Sequence, residues 1–152
     1  GCCPVGIHDL PRRSADQLTE AKLRIPRTDI VWSVDGSAAR LELIVQHIDA
    51  ADDARVSVAD GTAPPLDRII GIYRSPGPAA AANGRYVEFD VTNKVKADLE
   101  AGRSSFAWRI EPESVPDKVA SQLYFPSVEN TDAAFPAANR GPRLILRWAA
   151  TE

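Results

Sequence analysis

Apolar and polar residues alternate one for one over several short stretches of this chain, the signature of strands that bury one face and wet the other. In RLELIVQHI (Arg40 to Ile48) the alternation puts Leu41, Leu43, Val45 and His47 on one face. The same period runs through RIIGIYRS (Arg68 to Ser75), RYVEFDV (Arg85 to Val91), SFAWRIEP (Ser105 to Pro112), QLYFPSV (Gln122 to Val128) and RLILRW (Arg143 to Trp148). ARVSVADG (Ala54 to Gly61) groups Val56 with Val58 and closes in a turn at Asp60-Gly61, which predicts one more strand. Two weaker candidates, KLRI (Lys22 to Ile25) and DIVWSV (Asp29 to Val34), come before. About eight to nine short strands separated by turn signals predict an all-β fold, an antiparallel β-sandwich or jelly roll. Because a one-residue slip would turn each apolar face to water, Leu41, Leu43, Val45, Val87, Phe89, Trp108, Leu144 and Leu146 are the expected core.

Helical periodicity is scarce. TNKVKADLEAG (Thr92 to Gly102) sets Val95 and Leu99 four apart and ends on Gly102 in a C-cap position, predicting one short helix. In SADQLTEAKL (Ser14 to Leu23), Ser14 and Gln17 have capping-box spacing, which suits either a short helix or the approach to a strand. The alanine- and proline-rich stretches SPGPAAAANG (Ser75 to Gly84) and FPAANRGP (Phe135 to Pro142) read as surface loops, since strands on both sides are needed to close one core. The expected organisation is an extended N-terminal arm, residues 1–13, ahead of a single domain, residues 14–152.

Composition narrows the function classes. Among 152 residues, 18 are basic and 21 acidic, a net charge of −3, with 44% hydrophobic residues. That mild acidity lacks the basic stripe by which proteins bind nucleic acid. No stretch approaches the roughly 20 apolar residues of a membrane-spanning helix, and the start lacks the basic and apolar regions of a signal peptide. The chain has no methionine, so Gly1 is expected to be a processed terminus or an expression scar.

Enzyme signatures are thin. Of the two histidines, His8 and His47, the second lies on an apolar strand face, where a satisfied core histidine is the simpler expectation. There is no G-x-S-x-G stretch, no phosphate-binding loop, and no second ligand pair for a zinc site with Cys2, Cys3 and His8. A non-enzymatic protein without a required cofactor is expected. Asp49, Asp52, Asp53 and Asp60, and further on Glu129, Asn130 and Asp132, supply the oxygen donors a calcium ion takes. They lack EF-hand spacing, and a solvated turn is the plainer reading of each cluster. Trp32, Trp108, Tyr73, Tyr86 and Tyr124 offer stacking surface for a polysaccharide, although each sits inside a strand pattern where core packing is the default.

The segment RYVEFDVTNKVKADLEAGRSSFAWRI resembles that part of DNRLRE-type domains in which an F-D-V-T strand end leads into a helical turn, a glycine and another strand. Phe125, Ser127 and Glu129, then Pro142, Leu144 and Leu146, are similar to that family's closing F-x-S-x-E element and final strand; Ala21, Leu23 and Ile25 match its early A-x-L-x-L strand. The resemblance covers about half the chain. It implies a β-sandwich of secreted or cell-surface proteins, often joined to polysaccharide-active enzymes and in some cases a carbohydrate-binding module. Where such domains begin with a further extended segment, this chain has GCCPVGIHDLPRRSADQ, which departs from the pattern and implies an open groove or edge.

Cys2 and Cys3 are the only cysteines, and they are adjacent. Neighbouring Cα atoms lie about 3.8 Å apart, below the usual 4.4–6.8 Å of a disulfide, so unstrained oxidised pairing is with other chains. Pairing Cys2 of one copy with Cys3 of the next is a heterologous contact, and such contacts propagate into rings or filaments. Either the arm packs on its own domain and the cysteines are free thiols or a terminal scar, or, the function expected here, the protein is an extracellular structural subunit joined to copies of itself by intersubunit disulfides and by an arm carrying Val5, Ile7 and Leu10. The alternative is a carbohydrate-binding module of a secreted polysaccharide-active protein.

Overall fold

The computed structural model describes residues 5–27, 42–53, 55–74, 85–112 and 141–150. Seven strands run through them: β1 (Val5–Asp9), β2 (Leu18–Arg27), β3 (Glu42–Ile48), β4 (Pro65–Arg74), β5 (Arg85–Asp90), β6 (Ser105–Pro112) and β7 (Arg143–Trp148). Two helices interrupt them, α1 (Val58–Gly61) and α2 (Thr92–Glu100), and a single 3-10 turn, Ala15–Gln17, leads into β2. The strands form a four-stranded sheet in the order β1-β6-β3-β4 and a three-stranded sheet in the order β5-β2-β7. Every pairing is antiparallel. The fold is mostly β, as the alternating pattern predicts.

One core draws on both sheets. Ala21, Leu23 and Ile25 of β2 alternate inward, and so do Leu43 and Val45 of β3 and Phe106, Trp108 and Ile110 of β6. Val87 and Phe89 of β5 and Leu144 and Leu146 of β7 pack half-buried against them. Each fully buried Leu, Ile, Val or Phe side chain contributes about 1.5–3 kcal/mol, so this alternation is what selects the register. Of the expected core, Leu41 lies outside the described residues.

Helix α2 closes the core between β5 and β6. Its entry is fixed by the Asp90 carboxylate, which accepts the Thr92 N–H at 3.0 Å and the Thr92 hydroxyl at 2.7 Å. Val91, Val95 and Asp98 are the buried residues of this turn-and-helix unit. At its end Gly102 adopts φ 73°, its N–H donating to Leu99 O while Arg103 N–H donates to Asp98 O. That is the Schellman pattern, in which a left-handed residue frees two otherwise orphaned carbonyls of their exposure.

Three differences from the sequence pattern have physical causes. ARVSVADG is not a strand: Ser57 caps α1, accepting the Asp60 N–H while the Asp60 carboxylate accepts the Ser57 N–H at 2.7 Å. This reciprocal cap outcompetes the strand pairing that Val56 and Val58 suggest, and both valines are exposed, Val58 at 92%. The two alternatives at residues 14–23 coexist, a 3-10 turn feeding a strand longer than KLRI. The arm itself contains a strand, β1. The strands expected at QLYFPSV and DIVWSV lie outside the described residues.

Candidate functional site

The N-terminal strand and its seat on β6 combine most of the unusual chemistry. Among the described strands β1 lies at one end of its sheet, registered Val5↔Arg109, Gly6↔Trp108, Ile7↔Ala107, His8↔Phe106 and Asp9↔Ser105. Gly6 is a requirement of this seat. A Cβ there would stand 2.1 Å from Cε2, 2.2 Å from Nε1 and 2.3 Å from Cζ2 of Trp108, so only a bare backbone lets the indole lie across the strand. On the same face the His8 ring lies nearly parallel to Trp108, 6.3 Å between centroids and 15° between planes. On the opposite face Ile7 joins a second apolar cluster with Ile48, Ala50, Ala63 and Ala107. Leu10, just past the strand, is buried in the main core and its N–H donates to Ser104 O at 2.8 Å.

Two polar atoms of this seat, His8 Nε2 and Trp108 Nε1, are buried without a hydrogen-bond partner among the described residues. Burial lowers the His8 pKa from 6.5 to about 4, only partly opposed by the negative charge of Asp9. Of the residues expected in the assembly arm, Ile7 and Leu10 thus anchor on this chain's own sheet, in two different clusters. Val5 is in the ladder. Cys2 and Cys3 lie outside the described residues.

A second constellation is buried rather than accessible. His47 Nε2 lies 2.9 Å from Asp98 Oδ2, with side chains only 4% and 3% exposed, and the His47 ring stacks on Phe106 at 5.0 Å. Arg103 Nε approaches the other Asp98 oxygen at 3.6 Å and its guanidinium also holds Asp49. The pair ties α2 to β3, and a substrate cannot reach it without opening the fold.

The four aspartates with calcium-type donors are spread over separate tasks. Asp49 pairs with Arg103. Asp52 accepts from the Ser104 N–H and hydroxyl and from the Ser105 hydroxyl, each at 2.9 Å, and those bonds lower its pKa, the Ser104 N–H foremost. Asp53 accepts the Arg55 N–H, and Asp60 serves the α1 cap and the Ala51 N–H. Among the described residues no group of three or more His, Cys, Asp or Glu side chains converges as a metal site. Glu129, Asn130 and Asp132 lie outside the described residues.

Of the aromatic residues, Trp108 is buried while Tyr86 is 47% exposed on the outer face of the β5-β2-β7 sheet. The Arg24 guanidinium sits 4.0 Å above the Tyr86 ring. Around it Lys22 and Arg24 pair with Glu88, and Lys22 and Arg147 with Glu20. Trp32 and Tyr124, and the Tyr73 side chain, lie outside what the structure describes.

Sequence reasoning passed over Asp98 and Arg109. Asp98 was within reach, because it falls three residues after Val95 on the buried stripe of α2. Arg109 was not. It occupies a polar position in the β6 alternation, yet it is buried because the segment carrying α1 folds over it, where it donates to Gly61 O, Ala63 O and Gln46 Oε1. No protein-family model matches the sequence, and no curated protein matches it. Among the described residues no helix is long and apolar enough to cross a membrane.

Proposed function

We propose that the protein is a secreted, non-enzymatic structural subunit whose two sheets form a β-sandwich of the DNRLRE type, and that it joins copies of itself through β1. The supporting observation is the seat of β1: among the described residues it is a terminal strand with one ladder partner, specified by Gly6 beneath Trp108 and continued by a connector at residues 10–14. A second copy can supply the same strand in the same register, because exchange of an identical element preserves every contact. Cys2 and Cys3 then close disulfides across the joint in an oxidising setting.

Deleting residues 1–10 and adding a peptide of residues 4–12 tests this directly. The truncated protein should be folded and monomeric, and the peptide should bind and restore the near-ultraviolet signal of the Trp108 environment. Full-length protein should give a disulfide ladder on non-reducing gels that collapses with reductant. A full-length chain that stays monomeric under oxidising conditions, with a truncated form indifferent to the peptide, would refute the proposal.

A carbohydrate-binding module is the second reading, favoured by the exposed Tyr86 beside Arg24. Titration with neutral and acidic polysaccharides, and with a Tyr86→Ala variant, separates the two: binding lost on substitution supports the module.

A further inference from the structure

The seat of β1 on β6 holds a half-buried imidazole, one of whose ring nitrogens has no hydrogen-bond partner among the described residues to stabilise a charged ring. His8 Nε2 is buried without a partner beside Trp108, whose own Nε1 is equally unpartnered. Opposite it in register stands Phe106, which offers no acceptor. Among the described residues, the charged groups near this seam are engaged or point elsewhere. Asp9 is the next residue along β1, and successive side chains of a strand point to opposite faces. Across β6, His47 of β3 stacks on Phe106 and is paired with Asp98 of α2, which also receives Arg103. Arg109 of β6 is turned to the other face, toward Gln46 and Glu111.

We infer that His8 is an acid-operated latch: protonation of its imidazole releases β1 from β6, so that the proposed joint, on whose reading this rests, exchanges in mild acid and closes at neutral pH.

The sign follows from linkage. The docked ring titrates at about 4 and a released one at its ordinary 6.5, so the released strand binds protons more tightly. Docking is at full strength above about pH 6.5, weakens as pH falls from there, and levels off below about pH 4. Between about pH 7 and pH 5 the ratio of released to docked strand should rise about 20-fold. Within that window Asp52, Asp60 and Asp90, all lowered below the ordinary carboxylate value by their hydrogen bonds, stay ionised.

Hydrogen exchange of the reduced, full-length protein, corrected for the intrinsic pH dependence of the amides, tests this without requiring assembly. Exchange of residues 6–10 should rise about 20-fold from about pH 7 to pH 5 in the native chain and little in His8→Gln, which retains His47. If His8→Gln does not fold, nuclear magnetic resonance titration of the two native histidine rings decides instead. A His8 ring titrating near 6.5, or an acid release that survives in His8→Gln, would overturn the latch. Release of β1 at pH 5 with no mixing of labelled subunits at any pH would leave the latch standing and defeat the assembly reading.

Discussion

Replacing Gly6 by alanine should reverse the usual sign of a glycine-to-alanine change in a strand. Alanine ordinarily stabilises by about 0.5–1 kcal/mol, because glycine loses more backbone freedom on folding. Here the new methyl would lie 2.1–2.3 Å from three indole atoms of Trp108, where carbon atoms settle at about 3.5–4.0 Å. Relief takes a displacement of more than about 1 Å. Trp108 cannot supply it cheaply, since it is 1% exposed and its strand is paired on both sides, with β1 and β3. Among the described strands β1 has one neighbour, so it is the strand expected to give way. Overpacking of this kind costs about 1–3 kcal/mol, which corresponds to a rise of about 5- to 150-fold in the released population. Hydrogen exchange should show the loss at residues 6–10 and along the facing amides of β6, with a small change in melting temperature. Adding Trp108→Phe removes the clashing ring and should restore the stabilising sign of Gly6→Ala within that background. If Gly6→Ala stabilises the native chain, or slows exchange in β1, the account of the seat is wrong.

Other consequences are equally direct. Asp98→Ala should cost about 3–5 kcal/mol in urea unfolding by leaving a buried network half-satisfied, and combining it with His47→Ala should cost less than the sum by about 1 kcal/mol or more. Ser57→Ala should cost about 0.5–2 kcal/mol through loss of the α1 cap, with faster exchange confined to the segment around residues 51–64. Acid should loosen the contact between Asp52 and the start of β6: its pKa is lowered in the fold, so the contribution is present above the ordinary value of 3.8 and lost as pH falls below it. Fluorescence-monitored acid unfolding of Asp52→Asn should show a shallower decline over that range.

Where burial follows from strand period alone, the sequence is a sufficient guide. β6 and β7 begin and end where alternation places them, and Gly102 stops α2 as its position predicts. The failures share one cause, a local hydrogen bond or a distant cover that period cannot report. At ARVSVADG the alternation is present, but a four-residue reciprocal cap between Ser57 and Asp60 wins. At Arg109 the alternation is also correct, since the side chain does point away from the main core. It is buried by a different segment, for which nothing near it in sequence gives notice. The seat of β1 was half legible. The extended arm and its apolar residues were visible, whereas the glycine opposite a tryptophan acquires meaning only with the register.

Why β1, of all the strands, should serve as a joint follows from how each is held. β2 is the centre of its sheet, with Leu18, Ala21, Leu23 and Ile25 wholly buried, and its removal would dismantle the core. β1 and the residue that follows it bring Ile7 and Leu10, whose burial contributes about 1.5–3 kcal/mol each at most, and the ladder bonds of β1 add about 0.5–1.5 kcal/mol apiece. Ordering its residues costs about 1–2 kcal/mol each. These opposing sums are of the same size, so docking is finely balanced and open to being moved by a proton, a methyl group or a second chain. In dilute solution the chain's own strand wins, because a short connector holds it at an effective concentration in the millimolar range. In the proposed assembly, persistence of the exchanged form therefore depends on Cys2 and Cys3. The disulfides proposed for them would convert a strand exchange that dilution would undo into a covalent connection, a role that suits two thiols placed just ahead of a lightly held strand.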